Sequence, residues 1–405
     1  MKKNLIIIAI ILIVILSILF TLFLFNKNNV YNAYLLNSGS VSQEEFSTKM
    51  PYERINGLNF ISVTIQNKKY KFLIDTGAIS IVSKSIANEI GLESLAYSNT
   101  TDSQGVTKKV DLALLPEITI GEIKFEDYGV AIMNLEDQLS CLDIDGIIGS
   151  NLISDAIWEV DESNQILTVT NSIKNLKLQG YNQEIYFTTD KQKTPFTKLL
   201  LNNKFSSEVI IDTGYDGSIL LTSDFDKITK GNTSLIEVIG NSTYGIHKKE
   251  MDSTSNFFIR LESIKTNNVV KERPIVHFMK NGNLSKIGNS FFYGYNYIID
   301  YGNKRILMKK NNKDIKTDNY RSYGFDWNYL NGNVFITQLI KSSNAINDLK
   351  IGDQILEING ENWTKLNKRD WCRISSQKLP TNISVKIKRT NEIKTINVAI
   401  KEYLN

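Results

Sequence analysis

The feature that most constrains this chain is an internal repeat. Phe72-Leu73-Ile74-Asp75-Thr76-Gly77 recurs as Val209-Ile210-Ile211-Asp212-Thr213-Gly214. Each copy closes a stretch that reads as a strand hairpin: 60–65, a turn at 67–69 and 70–74 in the first, 197–201, a turn at 202–204 and 209–211 in the second. A short helical stretch follows each, 83–90 and 222–229, stopped by Gly91 and Gly231. The downstream halves also match. Ile147-Ile148-Gly149-Ser150-Asn151-Leu152-Ile153 parallels Lys286-Ile287-Gly288-Asn289-Ser290-Phe291-Phe292, and Gly149 follows Asp75 by 74 residues where Gly288 follows Asp212 by 76. Asp161 and Asp300 each lie 12 residues beyond their glycine, with Asn164 and Asn303 three further. One Asp-Thr-Gly arises by chance in roughly one chain in ten of this size at average composition. Two copies sharing their strand and their distant glycine segment are a duplication, and the chain is expected to fold as two matching β-rich lobes.

The repeated residues point to one chemistry. An apolar strand ending in Asp-Thr-Gly carries a carboxylate to a buried strand end, where its charge is costly. Two related lobes would bring Asp75 and Asp212 together, and two carboxylates in contact share one proton. The charged one can take a proton from water while the neutral one donates to a carbonyl oxygen, which is acid–base hydrolysis of an amide. Thr76 and Thr213 offer hydroxyls that can bond across the interface. Gly77 and Gly214 leave room for backbone N–H groups beside the carboxylates. Composition favours this over the alternatives. With only His247, His277, Cys141 and Cys372, the chain has little material for a histidine-based zinc site, a triad or a disulfide framework, so no metal and no cofactor are expected. A net charge of +4 spread along the chain gives no ground for a nucleic-acid partner. The two histidines are expected to be surface or structural residues. Leu142-Asp143-Ile144-Asp145-Gly146 has the outline of a phosphatase nucleophile, but without alternating helices Asp143 and Asp145 read as a solvated turn.

Asp75-Thr76-Gly77-Ala78 together with the segment 147–153 resembles half of a retropepsin, and two such halves in one chain resemble the single-chain bacterial retropepsin-like aspartyl proteases. The resemblance covers about residues 55–312. It implies a mainly β, bilobal acid-protease fold with each apolar-apolar-Gly segment beside its catalytic loop, and endopeptidase activity on an extended polypeptide held under flap hairpins. Flap candidates are 102–109, with a Ser103-Gln104-Gly105 turn, and 240–248, with Tyr244-Gly245 at its tip. The second lobe departs from the pattern. Tyr215 stands where the family has a small residue, Lys286 replaces an apolar residue, and Asp216 adds a carboxylate near Asp212.

Both ends of the chain carry other patterns. Residues 5–25 are apolar apart from Ser17 and Thr21, long enough for a bilayer-spanning helix. Lys2 and Lys3 precede this run and Lys27 follows it, which favours a cytoplasmic N-terminus. A small-x-small cleavage site is missing after it, so it reads as a signal anchor. At the other end, Leu349-Lys350-Ile351-Gly352-Asp353-Gln354-Ile355-Leu356-Glu357-Ile358-Asn359-Gly360 closely resembles a PDZ domain. By that resemblance Tyr323, Gly324 and Phe325 form a carboxylate-binding loop, and a peptide C-terminus would add as a strand beside it.

The expected order is a transmembrane signal anchor (1–26), a polar stalk (27–54), an N-terminal lobe (55–178), a C-terminal lobe (179–312) and a PDZ-like domain (313–405). The expected function is a single-pass cell-membrane aspartic endopeptidase with its folded domains extracytoplasmic. Asp75 and Asp212 are its catalytic pair, and the PDZ domain binds substrate or a regulatory C-terminal peptide. Two alternatives stay open: a non-catalytic peptide-binding receptor or scaffold acting through the PDZ groove, and a catalytic protein that dimerises through its membrane helix.

Overall fold

In a computed structural model, the described residues are 30–102, 105–135, 141–229, 234–240, 253–280, 282–313, 319–330 and 332–404. The expected anchor at 5–25 lies outside them. Among the described residues no helix is long and apolar enough to cross a membrane.

The architecture is mainly β, built from three interlocking bodies. In the first, Leu58–Ile65 and Lys68–Asp75 form an antiparallel hairpin. Its turn centres on Gln66 and Asn67, both at positive φ, the geometry that matches the twist of the flanking strands. Lys68–Asp75 begins exposed and ends in four buried residues, so the apolar run carries its terminal Asp inward. Gly146–Gly149 lies parallel to it with Gly149 opposite Asp75. The second body repeats this. Pro195–Leu201 pairs with Phe205–Asp212, and Lys286–Gly288 runs parallel to the latter with Gly288 opposite Asp212.

A six-stranded sheet joins the two halves, Ile157–Asp161 of the first pairing antiparallel with Tyr295–Asp300 of the second. The turn after each of these strands is closed the same way. Asn164 donates to Asp161 and Asn303 donates to Asp300, from both backbone and side chain. One apolar core runs through both halves, with Trp158, Phe291 and Tyr297 fully buried in it.

The expected polar stalk needs correction. From residue 30 it is folded onto the first half. The chain is helical over 30–36, and Leu35 and Leu36 are buried in the core beside Leu58 and Phe60. Ser47–Pro51 is the edge strand of the joining sheet, paired with Ile166–Thr170, and it buries Thr48 and Met50 while Ser47, Lys49 and Pro51 face out. Mean polarity concealed that alternation of period two.

The third body, the C-terminal one, has its own core around Phe325, Ile336, Ile355 and Trp363. It is not a loose appendage. Its strand Asn333–Ile340 pairs with Leu235–Gly240 of the second half, Val238 opposite Ile340, so a single sheet runs through both. On its far side, helix Lys368–Ser375 carries Cys372, disulfide-bonded to Cys141 of the first half at a Cα–Cα distance of 5.1 Å. The two cysteines form one long-range bridge rather than a framework, and their spacing of 231 residues carries no local signal of it.

Candidate active site

Asp75 and Asp212 end equivalent strands, are only 8% and 7% exposed, and face one another across the two halves. The approach is tight enough to require glycine beside each. A Cβ on Gly77 would sit 2.6 Å from Asp212 Cγ, and one on Gly214 would sit 2.2 Å from Asp75 Oδ2. Each glycine N–H then donates back to its own loop's carboxylate: Gly77 N to Asp75 Oδ1 at 2.8 Å, Gly214 N to Asp212 Oδ1 at 3.1 Å.

The threonines lock the loops reciprocally. Thr76 N donates to Thr213 Oγ1 at 3.0 Å, and Thr213 N donates to Thr76 Oγ1 at 3.1 Å. Their hydroxyls donate onward, Thr76 Oγ1 to the Ile211 carbonyl at 2.6 Å and Thr213 Oγ1 to the Ile74 carbonyl at 3.0 Å. All four bonds cross between the halves and are buried, so neither loop holds its shape without the other.

Burial pushes the Asp75 carboxyl from 3.8 up to about 8, and the neighbouring Asp212 adds to the shift. The Gly77 N–H and, more weakly, Lys286 pull the other way. Such a pair holds a proton at neutral pH, the state a carboxylate dyad needs to act as acid and base together.

The two sides of the site are unequal. Lys286, buried at 5% exposure, places Nζ 2.7 Å from Asp212 Oδ2 and 5.0 Å from the centre of the Tyr215 ring. Its counterpart in the first half, Ile147, sits in an apolar cluster. Sequence reasoning marked Lys286 as a departure without finding the ion pair. The signal was there, since a lysine in an apolar strand segment needs a buried partner. Tyr215 packs against Gly288, where a Cβ would lie 2.5 Å from its ring, and its carbonyl accepts from Asn289 N.

Other singled-out residues lie elsewhere. Asp145 accepts from the Lys71 backbone N–H at 2.8 Å and so anchors a turn. His277 is buried in a strand, stacked on Phe258, with its imidazole pushed down to about 4 by burial. It is structural, not a surface residue. His247, the 103–104 turn and the Tyr244-Gly245 tip lie outside the described residues. The strands that lead into both flap candidates are paired hairpins, Ala96–Thr101 with Thr107–Ile120 and Leu235–Gly240 with Ser255–Arg260.

In the C-terminal body, Tyr323 and Gly324 form a bend between strands Tyr320–Ser322 and Phe325–Leu330, with Gly324 at φ +95°. All three residues of the expected loop are already engaged, Tyr323 through its hydroxyl, which donates to the Pro380 carbonyl at 2.5 Å. The Gly324 N–H donates to Ser322 Oγ at 3.0 Å, and the Phe325 side chain is in the core. Tyr323 lines a cavity of about 340 Å³ together with Arg321, Ser322, Asp326 and Trp327. Strand Phe325–Leu330 pairs on one side with Asn333–Ile340, while Tyr329 stacks on Trp371 of the helix at 5.5 Å.

Comparison with known proteins agrees with this layout. Residues 61–152 match the aspartyl protease family model, which takes in the first Asp-Thr-Gly and its glycine segment. Residues 313–388 match the PDZ domain model. No curated protein matches the chain. The second half lies outside the protease match, and its kinship with the first rests on the repeat and the shared strand register. The chain thus joins a retropepsin-like aspartyl protease domain to a PDZ domain.

Proposed function

We propose that the chain is a bilobal, single-chain aspartic endopeptidase whose reacting groups are Asp75 and Asp212. The observation that carries this is the reciprocal threonine lock, which holds two buried carboxylates in contact across the two halves. A pair kept only for shape would have no need of that arrangement, because buried carboxylates destabilise a fold that does not use them. For the same reason the contact counts against a purely non-catalytic receptor. The substrate is a polypeptide, since the dyad hydrolyses amides and PDZ domains generally bind peptides. In this reading the cavity beside Tyr323 receives a peptide C-terminus, with Arg321 as its counter-charge.

The proposed setting is a membrane surface, with residues 5–25 as a single-pass anchor and everything beyond it outside the cytoplasm. The Cys141–Cys372 bridge supports this side of the membrane, because such bonds persist in oxidising compartments.

The test uses the full chain in detergent with fluorescein-labelled casein. Cleavage should occur and should be blocked by a peptide isostere bearing a hydroxyl in place of the scissile carbonyl, which mimics the tetrahedral intermediate. Asp75→Asn and Asp212→Asn should each lower kcat/KM by about 10²–10⁴ or more. A wild-type chain without activity, or variants that retain it, would refute the proposal.

A further inference from the structure

We propose that Lys286 is a positioning residue that breaks the symmetry of the dyad, keeping the charge on Asp212 as the base and the proton on Asp75 as the acid. This rests on the hydrolase reading above and assigns roles within it.

Three observations carry the inference. First, the Lys286 ammonium is buried, and Asp212 Oδ2 at 2.7 Å is the carboxylate it meets. Asp216 also acts on this ammonium by charge, but Asp212 is the carboxylate paired with it at 2.7 Å, and neutralising Asp212 would remove that buried ion pair. Second, among the described residues no cation occupies the corresponding place beside Asp75, where Ile147 packs among apolar side chains. Third, Gly77 and Gly214 give the two carboxylates matching N–H donors, so the asymmetry comes from the Lys286/Ile147 pair. Among the described residues, the other titratable groups facing the dyad are Asp216 and Tyr215 on the Asp212 loop and Tyr301 on the Asp75 side. None of these supplies a positive charge.

The reaction then has fixed roles. A water oxygen forms a bond to the amide carbon while one of its protons passes to Asp212. The carbonyl π electrons take the Asp75 proton, giving a neutral gem-diol. As the C–N bond breaks, the amine nitrogen takes the proton held by Asp212. Asp75 regains a proton from one gem-diol hydroxyl as the carboxyl product forms, and both groups end as they began.

The experiment combines a pH–rate profile on labelled casein with a ¹³C carboxyl titration of aspartate-labelled full chain, the Asp75 and Asp212 signals being identified from their Asn variants. In the wild type, the Asp212 signal is that of a carboxylate while Asp75 is still protonated. In Lys286→Met, the acid limb of kcat/KM moves up by about 1–3 pH units, the size of shift caused by one adjacent opposite charge. The alkaline limb moves up with it. Lys286→Arg, which keeps the charge, keeps the acid limb low. Limbs that stay in place in Lys286→Met while activity falls at every pH would reduce Lys286 to a packing role and overturn the inference. A wild-type spectrum in which Asp75 ionises first, or in which both carboxyls titrate alike, overturns it without any Lys286 variant. Absence of casein cleavage at every pH would sink the hydrolase reading, and the titration would still decide where the charge resides.

Discussion

Burial holds Asp75 protonated to about pH 8 against an ordinary value of 3.8, and that has a consequence for stability. The folded state binds this proton more tightly than the unfolded state, so the contribution is fully present below about pH 4 and is lost as pH rises towards 8. Asp75→Asn, proposed to be inactive, is therefore expected to be more stable than wild type at pH 9, by about 1–3 kcal/mol. The check is the urea midpoint of both proteins at pH 4 and pH 9, and a gap that does not widen at the higher pH would contradict it. His277 acts in the opposite sense. Its folded value near 4 means that stability falls as pH drops from 6.5 towards 4. Thr76→Val removes one partner from two buried cross-half bonds and should cost about 2–4 kcal/mol, read from urea denaturation. The places of the Asp, Thr and Gly in each loop were legible because each type has few ways to satisfy burial there. Lys286 was legible only as an anomaly, since its partner Asp212 is 74 residues away.

At the level of elements, the repeat announced both loop strands and both glycine strands, because a buried strand end leaves an unbroken apolar run in the sequence. The turns moved by one or two residues. The first was expected at 67–69 and forms at Gln66 and Asn67, since positive φ is needed at both central positions. The stretch before residue 55 was misread because its strand is short, edge-lying and polar on one face. It follows that a chain starting at residue 55 should be compromised. It would lose the buried side chains of Leu35, Leu36, Met50 and Tyr52, each worth about 1.5–3 kcal/mol, and would bare the edge of Ile166–Thr170. Differential scanning calorimetry of chains starting at residues 30 and 55 should show a markedly lower Tm for the shorter one. Equal Tm values would mean that the segment adds nothing.

On the scale of the whole molecule, the PDZ domain is attached at two separate points, by strand pairing to the second half and by the disulfide to the first. Lys341 also pairs with Glu237, and Arg260 donates to the Leu404 carbonyl, so the contact with the second half is polar as well as apolar. Two outcomes are expected. Cys141→Ser, which opens a very long covalent loop, should lower stability to urea by about 2–4 kcal/mol under non-reducing conditions. Ending the chain at residue 312 should expose the Leu235–Gly240 edge and promote association, visible by light scattering. A monodisperse truncated chain would show that the sheet edge is protected in some other way.

What the sequence determined by itself was local and periodic. Apolar runs ending in Asp-Thr-Gly and the glycine segments at matched distance specify two similar β units, and the Gly-Asp motif at 352–353 marks the PDZ domain. These are legible because burial and turn geometry restrict residue choice at each position. The tertiary structure alone decided which surfaces meet: Lys286 with Asp212, Cys141 with Cys372, and the PDZ strand with the edge of the second half. Strand edges present the same backbone groups whatever their side chains, and a contact across 74 or 231 residues leaves no periodic trace in the chain.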